Sequence, residues 1–107
     1  LARLEPNAIT YNAAISACEK GARWLDALGI LENMRLRLLE PDVVTYSAAI
    51  SACEKGAQWQ RAFGMFLDMR LSRSTANVIT YNAAISACER GAQWPWALGT
   101  LADMRLR

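Results

Sequence analysis

The sequence contains no histidine, only three prolines and no long run of apolar residues. The absence of histidine removes the commonest general base of enzymes, and no nucleophile–base pair or carboxylate pair stands outside the repeated pattern of the chain. No stretch approaches the roughly 18 apolar residues of a membrane span, and no charged-then-apolar leader precedes the first helical pattern. We therefore expect no catalytic site, no cofactor, no small-molecule substrate and no membrane contact.

Net charge and cysteine are also scarce. The formal net charge is only +2 over 107 residues, so composition gives no strong sign of a polyanion-binding protein, although the part from Lys55 onward is the more basic. Cys18, Cys53 and Cys88 cannot all pair within the chain, and their wide spacing is unlike a zinc cluster. A reducing compartment and the absence of a metal site are the simpler inference. The length favours one folded body.

Internal repetition is what the sequence has in abundance. A spacing of 35 residues separates four sets of landmark residues: Tyr11, Tyr46 and Tyr81; Cys18, Cys53 and Cys88; Trp24, Trp59 and Trp94; Met34, Met69 and Met104. The period predicts copies at 8–42, 43–77 and 78–107, with residues 1–7 as the tail of a preceding copy. Because the chain begins at Leu1 and its third copy lacks five residues, we expect a piece of a longer protein.

Each copy contains two helical patterns. Apolar residues recur at i, i+3, i+4 and i+7 from Tyr11 to Cys18, and a similar stripe runs from Trp24 to Met34. A helix pair with one apolar side cannot bury it alone, so the copies are expected to stack. The predicted fold is all-α, an α-solenoid of tandem helix-turn-helix hairpins with a concave surface formed by one series of helices.

Polar caps and glycines mark the ends of these helices. Asn7, Asp42 and Asn77 stand immediately before the first helices and are predicted N-caps. Lys20 followed by Gly21 predicts that the glycine ends the first helix in the left-handed conformation. Three further glycines lie inside the second helices, where we expect another helix to approach closely. They are Gly29, Gly64 and Gly99.

The repeated unit resembles the pentatricopeptide repeat family in its P-type, 35-residue form. The resemblance rests on these residues: Ile9-Thr10-Tyr11-Asn12, Cys18-Glu19-Lys20, Ala27-Leu28, Met34 and Pro41-Asp42. It covers the whole chain. Two departures lie in the turns between copies, where the family's usual glycine is absent near Leu38 and Arg73, and where Ala76 replaces the proline seen at Pro6 and Pro41.

The resemblance implies a right-handed superhelix that binds single-stranded RNA and reads one base per repeat. It also implies a longer organellar RNA-processing factor in a mitochondrion or plastid, with possible partner proteins along the rest of the array. Each base would be read by the residue after the tyrosine and by the last residue of the repeat. The reading pairs would be Asn12 with Asp42, Ser47 with Asn77, and Asn82 with a partner beyond the chain. The implied RNA core is 5′-U-A-pyrimidine-3′.

Two further sets of residues complete the RNA surface that the resemblance implies. Aliphatic side chains before each reading position would flank the bases, and cations at the ends of the first helices would face phosphate. The flanking set is Ile9, Val44 and Ile79, and the cationic set is Lys20, Lys55 and Arg90.

Each role has a structural alternative. Capping alone explains Asp42 and Asn77, the helix dipole alone explains the cations, and the aliphatic residues can act as staples. The first helices read TYNAAISACE, TYSAAISACE and TYNAAISACE, so only the reading position differs. Asparagine is a mediocre helix former, so no structural need for Asn12 is visible.

The alternative function is a helical scaffold that binds a peptide or protein. A peptide groove would more often present carboxylate clamps or broad apolar pockets at the reading positions. The repeated cysteines, tryptophans and methionines are expected in the core. Trp96 has no counterpart in the other copies and receives no expected role.

Overall fold

The computed structural model describes residues 4–71 and 77–106, which form six α-helices. The helices are α1 (Ala8–Lys20), α2 (Trp24–Leu36), α3 (Val43–Lys55), α4 (Trp59–Leu71), α5 (Val78–Arg90) and α6 (Trp94–Leu106). Consecutive helices pair into three hairpins, so the predicted all-α fold is confirmed. Arg73 and Ala76, at which the sequence departs from the family, lie outside the described residues.

The first helix of each hairpin begins with a reciprocal cap. Asp42 Oδ1 accepts a hydrogen bond from the Thr45 N–H at 3.1 Å, and the Asp42 N–H donates to Thr45 Oγ1 at 3.1 Å. These bonds satisfy N–H groups that a helix leaves free at its start. The predicted N-caps are therefore confirmed. The three pairs are Asn7 with Thr10, Asp42 with Thr45, and Asn77 with Thr80.

The end of each first helix differs from the prediction. Gly21 has a φ of −90°, and the left-handed residue is the next one, Ala22, with a φ of 55°. The Arg23 N–H donates to the Cys18 carbonyl at 2.8 Å, so the helix ends after Lys20 as predicted but the left-handed residue lies one position later than expected. The glycine is therefore not required by the turn. The other non-glycine residues with positive φ are Leu38, Ala57 and Ala92.

A close contact between hairpins explains the glycines after α3 and α5. A Cβ atom on Gly56 would lie 2.2 Å from Trp24 Cδ1, and one on Gly91 would lie 2.2 Å from Trp59 Cδ1. A Cβ on Gly21 would find its nearest neighbour at 3.4 Å, because no earlier hairpin in the described residues brings a tryptophan to it. The glycines let each tryptophan lie against the following hairpin.

The glycines inside the second helices face open space. A Cβ atom on Gly29, Gly64 or Gly99 would meet no atom within 4 Å in the described structure. Close helix approach was the wrong prediction for them, because second helices do not pack on one another. Each of α2 and α4 packs instead on its own first helix and on the first helix of the following hairpin.

The hairpins stack along the long axis of a body measuring 55 × 27 × 18 Å. The helices α1, α3 and α5 pack side by side in one layer, and the second helices form the other layer. Burial is deepest in the middle hairpin, where Ile50, Phe66 and Met69 are fully buried. The expectation of a core position is wrong for Trp94, which is 70% exposed because no later hairpin covers it in the described residues.

Trp96 packs between hairpins. Its ring meets Phe63 edge-on, with centroids 4.8 Å apart, and lies 6.3 Å from the ring of Trp59. The equivalent residue one hairpin earlier, Arg61, places its guanidinium 5.0 Å from the ring centre of Trp24. This position therefore covers the tryptophan of the preceding hairpin, through an aromatic contact in one case and a cation–π contact in the other.

Candidate nucleic-acid interface

The expected reading residues that follow the tyrosines lie at equivalent points of α1, α3 and α5, and Asp42 and Asn77 are the N-caps of α3 and α5. Asn12 and Ser47 are half-buried, whereas Asn82, on the last hairpin, is exposed. The flanking aliphatic side chains are all exposed. Their exposed fractions are 78% for Ile9, 51% for Val44 and 61% for Ile79. Apolar side chains left in water along one face are available to a ligand.

An open cleft of about 240 Å³ lies on the layer of first helices. Four of the predicted site residues line it together, although they come from two hairpins: Val44, Ser47, Asn77 and Ile79. The predicted reading pair of the second hairpin and the two aliphatic residues on either side of it therefore share one cleft. Ser16 and Glu19 of α1 complete the wall on the other side.

The hydroxyl of Ser47 is buried and has no hydrogen-bond partner among the described residues. Buried polar groups are usually satisfied, so an unpaired hydroxyl on a residue that lines a cleft is a candidate partner for a ligand that enters the cleft. Serine can donate one hydrogen bond and accept others, which matches a base edge that presents both kinds of group.

Asn12 is held by the following hairpin. Its Oδ1 accepts a hydrogen bond from the Thr45 hydroxyl at 2.5 Å, and its Nδ2 donates a long one to Asp42 Oδ1 at 3.5 Å. The structure thus supplies the structural reason for asparagine that was not visible in the sequence. Ser47 makes no such bond at the equivalent position, yet its hairpin stacks in the same way, so stacking alone does not require the asparagine.

Asp42 is ionised at neutral pH. Burial alone would raise its pKa, but hydrogen bonds from the Thr45 N–H, from the Val44 N–H and from Asn12 outweigh burial and keep the pKa below its ordinary value of 3.8. The carboxylate therefore acts only as an acceptor. It caps α3 and lies next to the reading residue of the preceding hairpin, so the capping role and the proposed reading role are compatible.

Two of the three cations expected to face phosphate have carboxylate partners. Lys55 Nζ forms an ion pair with Glu19, and Arg90 Nε lies 2.8 Å from Glu54 Oε2. These pairs join consecutive first helices and were missed from the sequence. The recurring spacing of 36 residues between glutamate and cation could have revealed them. Lys20 is exposed and has no ion pair within the described part of the chain.

Within residues 4–71 and 77–106, no three side chains of the cysteine and carboxylate types lie close enough to hold a metal ion. No helix in these ranges is long and apolar enough to cross a membrane. The arrangement found is a row of hydrogen-bonding side chains separated by exposed aliphatic ones.

Stacked helical hairpins of constant length, with such a row along one helix layer, define an α-solenoid repeat protein. Two family models match the chain: one described as the PPR repeat family matches residues 6–55, and one described as the PPR repeat matches residues 44–73. The chain belongs to the pentatricopeptide repeat family, which confirms the resemblance drawn from its motifs.

A solved structure agrees with this assignment. The chain is similar to the crystal structure of the pentatricopeptide repeat protein PPR10 from maize, with 28% identity and a TM-score of 0.84 over 96% of this chain. The chain spans only 15% of the length of that maize chain. No curated protein sequence matches it.

Proposed function

We propose that the chain binds single-stranded RNA along the layer formed by α1, α3 and α5, with one base at each hairpin. Membership of the family supports RNA binding in general. The observation that carries the finer proposal is the single cleft lined by Val44, Ser47, Asn77 and Ile79. Groups from two hairpins meet there in the combination that one base needs.

In this proposal Val44 and Ile79 flank the planar base, remove water from its faces and set its plane. The hydroxyl of Ser47 and the amide of Asn77 lie at its edge, where they can donate and accept hydrogen bonds. Adenine is the proposed base of this second hairpin. Asn12 with Asp42 would take uracil at the first hairpin, and Asn82 a pyrimidine at the third.

The phosphate backbone receives less positive charge than the sequence implies. Lys55 and Arg90 share their charge with glutamates, so their contribution to RNA binding is expected to be smaller than that of Lys20. We therefore expect a shallow dependence of affinity on salt concentration, with a slope below that of three free phosphate contacts.

The wider role proposed for this sequence is that of a binding segment. It would position RNA without catalysis or a cofactor, as part of a longer organellar RNA-processing factor of a mitochondrion or plastid. Other proteins would bind elsewhere along the array.

The test is a titration of the chain with short RNAs at moderate salt. An RNA with a U-A-pyrimidine core should bind at least about fivefold more tightly than one with the same bases in another order, because each misplaced hydrogen bond costs roughly 1 kcal/mol. Absolute affinity will be low, since stacking contributes about 1–3 kcal/mol per base and few bases are engaged. Equal affinity for the two RNAs would contradict base reading.

Two sets of variants sharpen this test. Asn12→Ser should move the preference at the first base from uracil towards guanine. The double variant Val44→Ala, Ile79→Ala should weaken the binding of all RNAs alike. The control Leu36→Ala, at a side chain that is 75% exposed on α2, should leave binding unchanged. If Leu36→Ala weakened binding as much as the double variant, the proposed surface would be wrong.

A further inference from the structure

Thr45 and Thr80 occupy equivalent positions and are both fully buried, but their hydroxyls have different partners. The Thr45 hydroxyl lies 2.5 Å from Asn12 Oδ1 and 3.0 Å from Asp42 Oδ1. The Thr80 hydroxyl donates to the Asn77 carbonyl oxygen at 2.8 Å and makes no bond to Ser47. The described chain thus contains one hairpin junction at which the threonine hydroxyl bonds to the side chain of the reading residue after the tyrosine, and one at which it does not.

The donors and acceptors available at the first junction determine the direction of its hydrogen bonds. The Thr45 hydroxyl accepts from the Asp42 N–H and carries one proton of its own to donate. Asp42 is an acceptor only, so the NH₂ group of Asn12 must face it. The oxygen of Asn12 must then face Thr45, at the shorter of the two hydroxyl distances.

We infer that Thr45 is a positioning residue that determines the base specificity of the first hairpin. The Thr45 hydroxyl takes one lone pair of the Asn12 oxygen and fixes the amide in one orientation, in which its second N–H is the free donor for a ligand. The first hairpin would then favour a base whose facing edge presents an acceptor, such as a uracil carbonyl. Ser47 has no such constraint and can donate or accept. This inference rests on the proposed RNA binding.

The first test needs no RNA. Thr45→Val removes the hydroxyl but keeps the shape, so the side-chain ¹⁵N order parameter of Asn12 should fall and exchange of its NH₂ protons with water should accelerate about fivefold, as expected for loss of one hydrogen bond. Thr45→Ser should restore both values. An Asn12 amide equally ordered in all three proteins would overturn the inference, whatever the outcome with RNA.

The second test measures the ratio of affinities for RNAs with uracil or another base at the first position. Thr45→Val should reduce this ratio about fivefold and Thr45→Ser should preserve it. Thr80→Val is the matched control, because the Thr80 hydroxyl bonds only to backbone atoms of Asn77 and to neither reading side chain, Ser47 or Asn77, and the variant should leave the ratio at the second position unchanged. If the wild-type chain distinguished the bases and Thr45→Val had the same affinity ratio, the inference would also be overturned.

Failure of the proposed function looks different from failure of this inference. If the wild-type chain did not distinguish the bases at all, base reading would be contradicted, while the NMR comparison would still decide whether Thr45 orients Asn12. A loss of stability shared by Thr45→Val and Thr80→Val would be assigned to the cap that both variants lose.

Discussion

At the residue scale, three alanines and one leucine carry a backbone conformation that glycine adopts more easily. Ala22, Ala57 and Ala92 have φ values of 55–59°, and Leu38 has 62°. A left-handed residue with a Cβ costs about 1–2 kcal/mol. Gly56 and Gly91 cannot take over this role, because the tryptophan contact holds each of them one position earlier.

Relief of this strain should stabilise the protein. Ala57→Gly removes the Cβ from a left-handed residue, which stabilises the folded state, but it also increases the conformational entropy of the unfolded chain. The free energy of unfolding should therefore rise by about 0.5–1 kcal/mol. Urea denaturation measures the change. The control is Ala17→Gly, the same substitution at an exposed site within α1, which should lower stability by about 1 kcal/mol. A loss of stability in both variants would contradict the strain at Ala57.

The three cysteines differ in reactivity according to their burial. Burial raises the pKa of the Cys53 thiol from 9.0 to about 11 and that of Cys88 in the same direction, and both are fully buried. Cys18 is only half-buried. Because the thiolate is the reactive form, the two inner cysteines should be protected from alkylating reagents.

Iodoacetamide at neutral pH should therefore label Cys18 first, with Cys53 and Cys88 labelled only as the protein unfolds. Mass spectrometry of tryptic peptides at successive times measures the order. In denaturant all three should react at similar rates. The raised pKa of Cys53 also makes stability fall with pH between 9.0 and about 11, because only the unfolded chain then loses the proton. Early labelling of Cys53 in the native protein would contradict its placement.

At the element scale, the second helices contain an internal glycine that lowers their stability. Gly64 lies inside α4, where glycine loses more conformational freedom than alanine on folding. Nothing within 4 Å would obstruct a Cβ atom there. The first helices, with their reciprocal caps and alanine-rich faces, contain no such residue.

Gly64→Ala should raise the free energy of unfolding by about 1 kcal/mol. Thermal and urea denaturation provide the measurement. Gly29→Ala is the matched variant in α2 and should give a similar gain, since its surroundings are equally open. A destabilised Gly64→Ala would mean that another helix covers this face, as the sequence pattern first led us to expect.

At the scale of the whole molecule, contacts between hairpins hold the array together. Trp24 and Trp59 each lie against the glycine of the next hairpin, and glutamate–cation pairs join consecutive first helices. Exposed ion pairs contribute little, so the tryptophan contacts and the buried apolar stripes dominate the coupling. In a repeat array, such nearest-neighbour contacts determine how cooperatively the hairpins unfold.

Gly56→Ala should destabilise the array. The added methyl group would overlap the ring of Trp24 and displace the first hairpin from the second, which should cost about 1–3 kcal/mol and broaden the unfolding transition. The measurement is circular dichroism during urea titration. Gly21→Ala is the matched control, because the same turn there meets no tryptophan, and its stability should change little. Similar losses in both variants would assign the effect to the turn itself.

The sequence by itself determined the features that depend on neighbours within a few residues or on the repeat period. Six helices, their caps at Asn7, Asp42 and Asn77, and the family all follow from local pattern, because caps and amphipathic stripes act within one or two helical turns. The candidate site residues were predicted from the family resemblance; four of them line one cleft, and their roles in base reading stay predictions.

Only the tertiary structure decided what happens between hairpins. Three kinds of contact were not predicted, and each joins residues more than 30 positions apart. They are the contact of Gly56 with Trp24, the ion pairs of Lys55 and Arg90 with glutamates, and the hydrogen bond from Thr45 to Asn12. Such contacts depend on the relative placement of stacked helices, which a period in the sequence does not specify. Repetition predicts that hairpins stack, but the side chains that meet are set by the geometry of the stack.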